Sequence, residues 1–324
     1  MVSSEMRAQT FAEHLETLQW HVRPVTLIPD SEPPLNSQFD VNCQPFSAEE
    51  LRKAIRKMKS GKATKSDDIP IECYKALEQE GDEHFSRLLS FCNECWSAKM
   101  APDEWCTASV ALIYKKGDPA SCDNYRPICL LTVAYKLFAS MLKNRLDNSN
   151  IDSALWRSQF GFRQGCSTED AIFVARRRIE LARAQRNGKV SLLALDWRKA
   201  FDSLRVECLV DALRRFGLPA EFLVMVSNLL STRQFYVNDC GAASSKHPQL
   251  SGISQGCTLS PLLFIIVMTV LLHDAVGTLS ANTRSAYDRD DLADLVYADD
   301  TLLIGVSDDQ LSEFLEAVQR AGAR

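Results

Sequence analysis

The chain has 324 residues, enough for two or three domains of ordinary size. Hydrophobic residues make up 46% of it, which excludes a disordered chain, and the net charge of −5 argues against a uniformly basic nucleic-acid coat. The eleven cysteines follow no disulfide-framework spacing, which indicates a reducing compartment, in the nucleus or cytoplasm. The first twenty residues contain acids and no apolar run, so no signal peptide is expected.

The first half of the chain is predicted to be rich in helices. Residues 6–20 favour an amphipathic helix. Ser47, followed three residues later by Glu50, is a helix-capping signal. A further helix is expected over residues 82–99, and strand is expected before the Gly-Asp turn of "LIYKKGDP". The segment "PICLLTVAYKLFASMLKNRL" favours helix after its first apolar residues.

The second half is predicted to mix strands and helices. The helix "TEDAIFVARRRIELARAQRNG" is expected to end at Gly188, and the helix before Gly217 to end there. Strands are expected at "KVSLLALDW" and "QFYVND". A long apolar helix begins near Pro261 and is predicted to be core, since its apolar run is too short to cross a bilayer. A hairpin and a last helix follow.

Two adjacent carboxylates, Asp299 and Asp300, interrupt the apolar hairpin "DLVYADDTLLIG". An exposed turn explains acids in general, but neighbouring carboxylates repel and raise one another's pKa. Asp196 ends the apolar strand "SLLAL", at the kind of sheet edge where ligand sites lie. If this strand lies beside the hairpin, the three carboxylates meet. Divalent cations would then reverse the cost, because Mg²⁺ binds carboxylate oxygens and two ions can serve a phosphoryl displacement.

Other motifs suit a nucleotide or nucleic acid. "GISQGCTLSPLLF" places a turn with Gln255 and Gly256 before a buried helix, where backbone can lie against a planar ligand. Cations beside turns can meet phosphates. Those found in "LIYKKGDPASCDNYRPICLL" and "QFGFRQGCSTEDAIF" are Lys115, Lys116, Arg126 and Arg163.

In chain order, the blocks "LIYKKGD…NYRPICLL", "QFGFRQGCST", "LALDWRKAFDSL", "GISQGCTLSPLLF" and "YADDTLLI" resemble the reverse transcriptase of non-LTR (LINE-type) retrotransposons. The resemblance implies an α+β right-hand polymerase. Residues 1–45 would be an N-terminal helix and proline-containing arm, 46–190 the fingers and 191–324 the palm, a ferredoxin-like antiparallel sheet with helices. The thumb is expected to be absent, because the chain is C-terminally short of the family's later segments.

The resemblance also implies the role of each candidate residue. Asp196, Asp299 and Asp300 would be catalytic and hold two Mg²⁺ ions, with Mn²⁺ as the alternative ion. Phe201 matches the aromatic residue that blocks a ribose 2′-OH. Arg163 matches an arginine beside the template path. The implied nucleotide-binding residues are Lys115 (with Lys116 as its rival), Arg126, Phe201, Gln255 and Gly256.

The implied function is that of an RNA-directed DNA polymerase. The enzyme would transfer nucleotides from dNTPs to a DNA primer 3′-OH on an RNA template, with no membrane partner. The motifs do not indicate an oligomeric state. Two alternatives stay open: a catalytically inactive relic or RNA-binding scaffold with the same fold, and a non-polymerase palm enzyme such as a nucleotidyl cyclase. A cyclase would account for the three carboxylates but not for the separate motif blocks in the predicted fingers, residues 46–190.

Several further residues receive a structural interpretation. Asp202 is expected to cap the helix after Phe201 rather than bind metal. Cys92 and Cys95 are expected to be buried thiols, because no second pair completes a zinc site. The segment "ARRRIELARAQR" fits either a solvated helix face or a phosphate-contacting surface. Asp67 and Asp68 occupy a turn where the family has a different pattern, so the local fingers geometry departs from it.

Overall fold

A computed structural model describes residues 3–22, 32–64, 69–78, 83–184 and 188–323. The helices are α1 Ser4–His14, with a π-helical continuation Leu15–Gln19, α2 Ala48–Lys57, α3 Ile71–Ala76, α4 Glu83–Ala98, α5 Asp103–Cys106, α6 Val133–Asn148, α7 Thr168–Ala184, α8 Ala200–Ser203, α9 Val206–Phe216, α10 Ala220–Ser231, α11 Ser260–Gly277, α12 Ala281–Asp288 and α13 Asp308–Gly322. The strands are β1 Thr107–Tyr114, β2 Tyr125–Leu130, β3 Ser191–Leu195, β4 Gln234–Asp239, β5 Ala242–Ala243, β6 His247–Pro248, β7 Leu292–Tyr297 and β8 Asp300–Gly305. The fold is mixed α+β, as predicted.

Local sequence signals account for several helix ends. The side chain of Ser47 accepts a hydrogen bond from the Glu50 amide, and the Glu50 carboxylate accepts one from the Ser47 amide, so the predicted capping box is confirmed at α2. Gly217 ends α9 with a φ of 109°, a left-handed conformation that glycine adopts at little cost. The predicted helix end at Gly188 follows undescribed residues 185–187, and the turn at 67–68 also lies outside the described residues.

The first sheet has the order β2-β1-β4-β5, with β6 also paired to β4. Strands β1 and β2 are antiparallel, whereas β1 and β4 are parallel, with Thr107 opposite Gln234. Helix α1 packs on β4 and β5. The sheet therefore takes strands from both sides of the predicted boundary at residues 190 and 191, and that division into fingers and palm stays a prediction.

The second sheet is antiparallel, with the order β3-β8-β7. Leu195 lies opposite Thr301, and Tyr297 lies opposite Asp300. The hairpin is thus closed by a two-residue turn, Ala298 and Asp299. The strand that leads to Asp196 lies directly beside the hairpin, so the condition under which the carboxylates were expected to meet is fulfilled. This register brings the end of β3 to the turn that carries the paired acids.

Helix α11 is the central core helix. It has 18 residues and is long and apolar enough to cross a membrane by length and composition alone, so the prediction that it is too short was wrong. In the fold, 67% of this helix is buried, and it packs against α9 and α13. Burial of its large apolar side chains, such as Leu262, Ile266 and Leu272, stabilises the core that it forms with α9 and α13.

Candidate active site

A cavity of about 710 Å³ opens where several distant stretches of the chain meet. The predicted residues that line it are Lys115, Arg126, Asp196, Phe201, Gln255, Gly256 and Asp299. The predicted residues that lie outside its lining are Lys116, Arg163 and Asp300. Most of the motif blocks therefore contribute to one cavity. Between the two rival lysines, the cavity lining favours Lys115.

Asp196 and Asp299 bring two carboxylates to this cavity. Asp196 follows the last residue of β3, and Asp299 is the second residue of the hairpin turn. Burial raises the pKa of the Asp299 carboxyl, and the negative charges of Asp300 and Asp196 raise it further, while Arg126 opposes them. The indole of Trp197 donates a hydrogen bond to Thr301 Oγ1 at 3.1 Å, which fastens the end of β3 to β8. The two carboxylates are held together although they repel.

Asp196 and Asp299 can supply some, but not all, of the ligands that a divalent cation needs. Within the described ranges, no group of three or more His, Cys, Asp or Glu side chains is arranged to hold a metal ion. Asp300 begins β8 and its side chain is exposed outside the cavity lining. Mg²⁺ commonly uses one or two protein carboxylates and completes its shell with water and substrate phosphates. Asp196 and Asp299 match that pattern, with oxygen donors whose mutual repulsion a cation would relieve.

A buried glutamine holds the hairpin turn in place. Gln159 is 1% exposed, and its Oε1 accepts a hydrogen bond from the Ala298 amide at 2.8 Å while its Nε2 donates to the Ala298 carbonyl at 3.2 Å. Ala298 has a φ of 58°, so its left-handed backbone is fixed by this two-point contact. A Cβ on Gly161 would lie 2.1 Å from the Ala298 nitrogen. The "QFGF" block therefore supports the turn that carries Asp299.

Phe201 belongs to a group of three aromatic rings. Its ring stacks on that of Phe264, with centroids 4.4 Å apart and an interplanar angle of 12°. The ring of Phe162 meets Phe201 edge-on, with centroids 6.1 Å apart. Phe264 is buried, whereas Phe162 and Phe201 line the cavity. The stacked ring of Phe264 thus fixes the position of Phe201, the predicted sugar-selecting residue.

The turn at Gln255 and Gly256 presses against β2. The Cys129 amide donates a hydrogen bond to the Gln255 carbonyl at 3.0 Å. Gly256 has a φ of 131°, and a Cβ there would lie 2.4 Å from the Cys129 carbonyl oxygen. Only glycine allows this approach without a backbone shift. The turn is therefore a fixed wall of the cavity.

The prediction that Asp202 caps a helix was wrong. Asp202 lies inside α8, and its carboxylate accepts hydrogen bonds from Gln19 Nε2 at 2.7 Å, Trp20 Nε1 at 2.8 Å and Gln255 Nε2 at 3.0 Å. Burial raises the pKa of the Asp202 carboxyl, and the hydrogen bonds from Trp20 and Gln19 oppose that rise. Sequence reasoning missed the N-terminal contribution, since His14 and Gln19 also line the cavity. No local motif marks them.

The predicted cations differ in their surroundings. Lys115 and Arg126 are exposed, and neither forms a salt bridge with a carboxylate in the described part of the chain. Arg163 instead donates two hydrogen bonds to the Asp152 carboxylate, at 2.9 and 2.6 Å, and one to the Gln159 carbonyl at 3.3 Å. Its guanidinium thus stabilises the loop around Gln159. Its template-binding role stays a prediction.

Burial and ion pairing bear on two other interpretations. Cys92 and Cys95 are buried in α4, and burial raises the pKa of the Cys92 thiol to about 12, as expected of a core thiol. Helix α7 has no buried residue. Its Arg176 and Arg177 pair with Glu180, which favours the solvated helix face over a free phosphate-contacting surface.

The cavity brings the carboxylates of Asp196 and Asp299 beside the exposed cations Lys115 and Arg126. A family model described as "Reverse transcriptase (RNA-dependent DNA polymerase)" matches residues 113–324, and the chain belongs to this family. The family predicted from the motif blocks is confirmed.

Among similar proteins, the chain is 28% identical over 330 residues to the "RNA-directed DNA polymerase from mobile element jockey" of Drosophila melanogaster, covering 97% of this chain and 34% of that protein. It is 27% identical over 272 residues to the "Probable RNA-directed DNA polymerase from transposon BS" of the same organism, covering 82% and 29%. It is 30% identical over 205 residues to the "Retrovirus-related Pol polyprotein from type-1 retrotransposable element R2" of Nasonia vitripennis, covering 62% and 19%. The chain spans about a third or less of these relatives' length.

Proposed function

We propose that this chain carries RNA-directed DNA polymerase activity, adding deoxynucleotides to a primer 3′-OH opposite an RNA template. The observation that carries the proposal is the meeting of Asp196 and Asp299 in a cavity that also contains Lys115, Arg126 and Phe201. Membership of the reverse transcriptase family supports it. Catalysis of phosphoryl transfer consists mainly of positioning and charge stabilisation, which such a cavity supplies.

The carboxylates at the cavity and the residues that support them have separate tasks in this proposal. Asp196 and Asp299 would hold Mg²⁺, or Mn²⁺ in its place, and the bound ions would supply charge stabilisation at the reacting phosphate. The exposed Asp300 contributes negative charge beside them rather than a direct ligand inside the cavity. Gln159 and Trp197 keep Asp196 and Asp299 in register by binding the turn and β8.

Lys115 and Arg126 are proposed to bind the triphosphate of the incoming dNTP. Arg126 lies on β2, and its charge opposes the rise in the Asp299 pKa that burial causes, so it is near the proposed reaction centre. An arginine can place two donors on phosphate oxygens, while a lysine supplies a point charge. The positive charges of Lys115 and Arg126 offset the negative charges of the triphosphate. Asp196 and Asp299 then remain available to bind the metal.

The test is primer extension with purified protein, Mg²⁺, dTTP and oligo(dT) annealed to poly(rA). Asp196→Ala and Asp299→Ala are each expected to abolish extension. Each removes one proposed metal ligand, and the remaining carboxylate cannot hold the metal by itself. Asp300→Ala is expected to reduce extension less, since its side chain lies outside the cavity lining.

The control is Asp309→Ala, which removes an exposed carboxylate on α13 away from the cavity. It should extend the primer at the wild-type rate. Wild-type rates in Asp196→Ala or Asp299→Ala would contradict the proposal. RNA binding by the wild-type protein without any extension would favour the scaffold alternative.

A further inference from the structure

Asp202 is a buried carboxylate that the proposed chemistry does not use. Its side chain is 4% exposed and joins parts of the molecule that are far apart in sequence, through Trp20 on one side and Gln255 on the other. Its backbone is also fixed, because Ser251 Oγ donates to the Asp202 carbonyl at 2.9 Å. A rigid acceptor therefore lies in the cavity wall itself, beside Gln255, which also lines the cavity.

The carboxylate decides which end of the Gln255 amide it meets. Both oxygens of Asp202 act as acceptors, one for Trp20 Nε1 and the other for Gln19 Nε2, and the NH₂ group of Gln255 also donates to Asp202, at 3.0 Å. The Gln255 Oε1 atom accepts no hydrogen bond from a described residue, and it is not among the buried atoms that lack a partner. Since Gln255 lines the cavity, this oxygen is the polar atom that it offers to a ligand.

The N-terminal segment fixes the carboxylate in turn. Trp20 Nε1 donates to Oδ1 of Asp202, and Gln19 Nε2 donates to the same Oδ2 atom that Gln255 binds. Trp20 is 1% exposed and packs edge-on against Phe235, with centroids 4.5 Å apart. An indole N–H only donates, so it keeps an oxygen of residue 202 on its own side.

The geometry points to Asp202 as a positioning residue that presents the Gln255 side-chain oxygen, and not its NH₂ group, to a hydrogen-bond donor of the incoming nucleotide. This inference rests on the proposed polymerase function and adds to it a determinant of nucleotide binding. Gln19 and Trp20 contribute to the same positioning, since their hydrogen bonds hold the Asp202 carboxylate in the orientation in which it binds the NH₂ group of Gln255.

Asp202→Asn tests the inference, because it should reverse the Gln255 amide. Trp20 would keep the amide oxygen of the substituted side chain on its own side, so the new NH₂ group would face Gln255 and bind its Oε1. The cavity then meets the NH₂ group of Gln255 in place of an acceptor. The KM for dNTP is expected to rise about tenfold, the cost of one lost hydrogen bond, with a smaller change in kcat.

Adding Gln255→Glu to Asp202→Asn should restore nucleotide binding. The introduced carboxylate can accept from the new amide at position 202 with one oxygen and offer the other to the cavity. The net charge of the double variant equals that of the wild type. The KM is expected to return to within about threefold of wild type. Gln255→Glu alone places two carboxylates against each other and should raise the KM well above that of the double variant.

Asp274→Asn is the matched control. Asp274 accepts hydrogen bonds from the two terminal nitrogens of Arg215, at 2.6 and 2.7 Å, and it does not line the cavity. It should lower the melting temperature without changing the KM for dNTP. A purely structural Asp202 would give the same pattern, and that result would overturn the inference.

The Kd of a mant-labelled dNTP, measured by fluorescence titration with primer–template present, gives a readout that does not need turnover. A wild-type protein that binds the nucleotide as expected but never extends a primer contradicts the proposed function alone. Wild-type extension with an unchanged Kd in Asp202→Asn contradicts this inference alone. If Asp202→Asn folds poorly, the double variant must still bind the dNTP more tightly than Gln255→Glu, and equal affinities would overturn the inference.

Discussion

Phe201 is the residue through which the cavity would distinguish one sugar from another. Its lower face is covered by Phe264, at a centroid distance of 4.4 Å, so the ring cannot move away from the cavity without disturbing the core. A ring fixed in this way rejects an additional hydroxyl by steric exclusion, which is specificity built against the wrong substrate. The sequence predicted the ring; the structure adds the support beneath it.

Phe201→Ala is expected to raise the incorporation of ribonucleotides relative to deoxynucleotides by about tenfold or more, while some polymerisation is kept. Primer extension with matched rNTP and dNTP series gives the ratio of kcat/KM values. Phe173→Ala, which truncates a ring that is 62% exposed on α7, is the control and should leave the ratio unchanged. An unchanged ratio in Phe201→Ala would mean that the ring serves only the core.

At the scale of elements, the hairpin that carries Asp299 depends on a segment that is distant in sequence. The Val296 amide donates to the Ser158 carbonyl at 3.0 Å, and the Phe160 amide donates to the Val296 carbonyl at 2.8 Å, so this segment runs beside β7 like a short parallel strand. Gly161 then passes directly under Ala298. The position of Asp299 is thus set by a neighbour of β7 as well as by the β7–β8 hairpin itself.

Gly161→Ala is expected to reduce primer extension strongly and to lower the free energy of unfolding by about 1–3 kcal/mol, because the added Cβ would meet the Ala298 nitrogen at 2.1 Å and displace the turn. Extension rates and urea denaturation measure the two effects. Gly277→Ala is the control, since a Cβ there has no heavy atom within 4 Å. Wild-type extension by Gly161→Ala would show that the turn does not depend on this contact.

The sequence predicted those elements whose signals are local. A carboxylate at the end of an apolar strand identified Asp196, and the capping box and Gly217 fixed helix ends. It could not predict contacts that join distant segments without a motif. The Trp20–Asp202 hydrogen bond spans 182 positions, so Asp202 was assigned to a local cap instead. Gln159 lies inside a recognised block, but nothing in its spacing indicates which backbone it binds.

The whole molecule also depends on a buried cation far from the cavity. Arg145 on α6 is 3% exposed, and its guanidinium donates to both oxygens of Glu50 at 2.6 and 3.0 Å. It also donates to the carbonyls of Asn42, Gln44 and Pro45, at 3.1, 2.7 and 3.1 Å. One side chain therefore ties the N-terminal arm and α2 to α6. Its donors match carbonyl and carboxylate acceptors in a way that lysine cannot.

Arg145→Leu is expected to lower the free energy of unfolding by about 3–5 kcal/mol at neutral pH, because it leaves Glu50 and three carbonyls without their donor. Burial alone would raise the pKa of Glu50, but the hydrogen bonds from Arg145 and Ser47 outweigh it and lower that pKa. A lowered folded-state pKa contributes stability above the ordinary pKa of a glutamate, and this contribution is lost as pH falls through the folded-state value. The difference in the free energy of unfolding between wild type and Arg145→Leu should therefore shrink on acidification.

Urea denaturation at neutral and acidic pH measures this difference. The control is Lys143→Ala, which removes the ion pair between Lys143 and Asp147 on the same helix and is expected to change stability by less than about 1 kcal/mol. A difference that stays constant with pH would contradict the assigned link between Arg145 and Glu50.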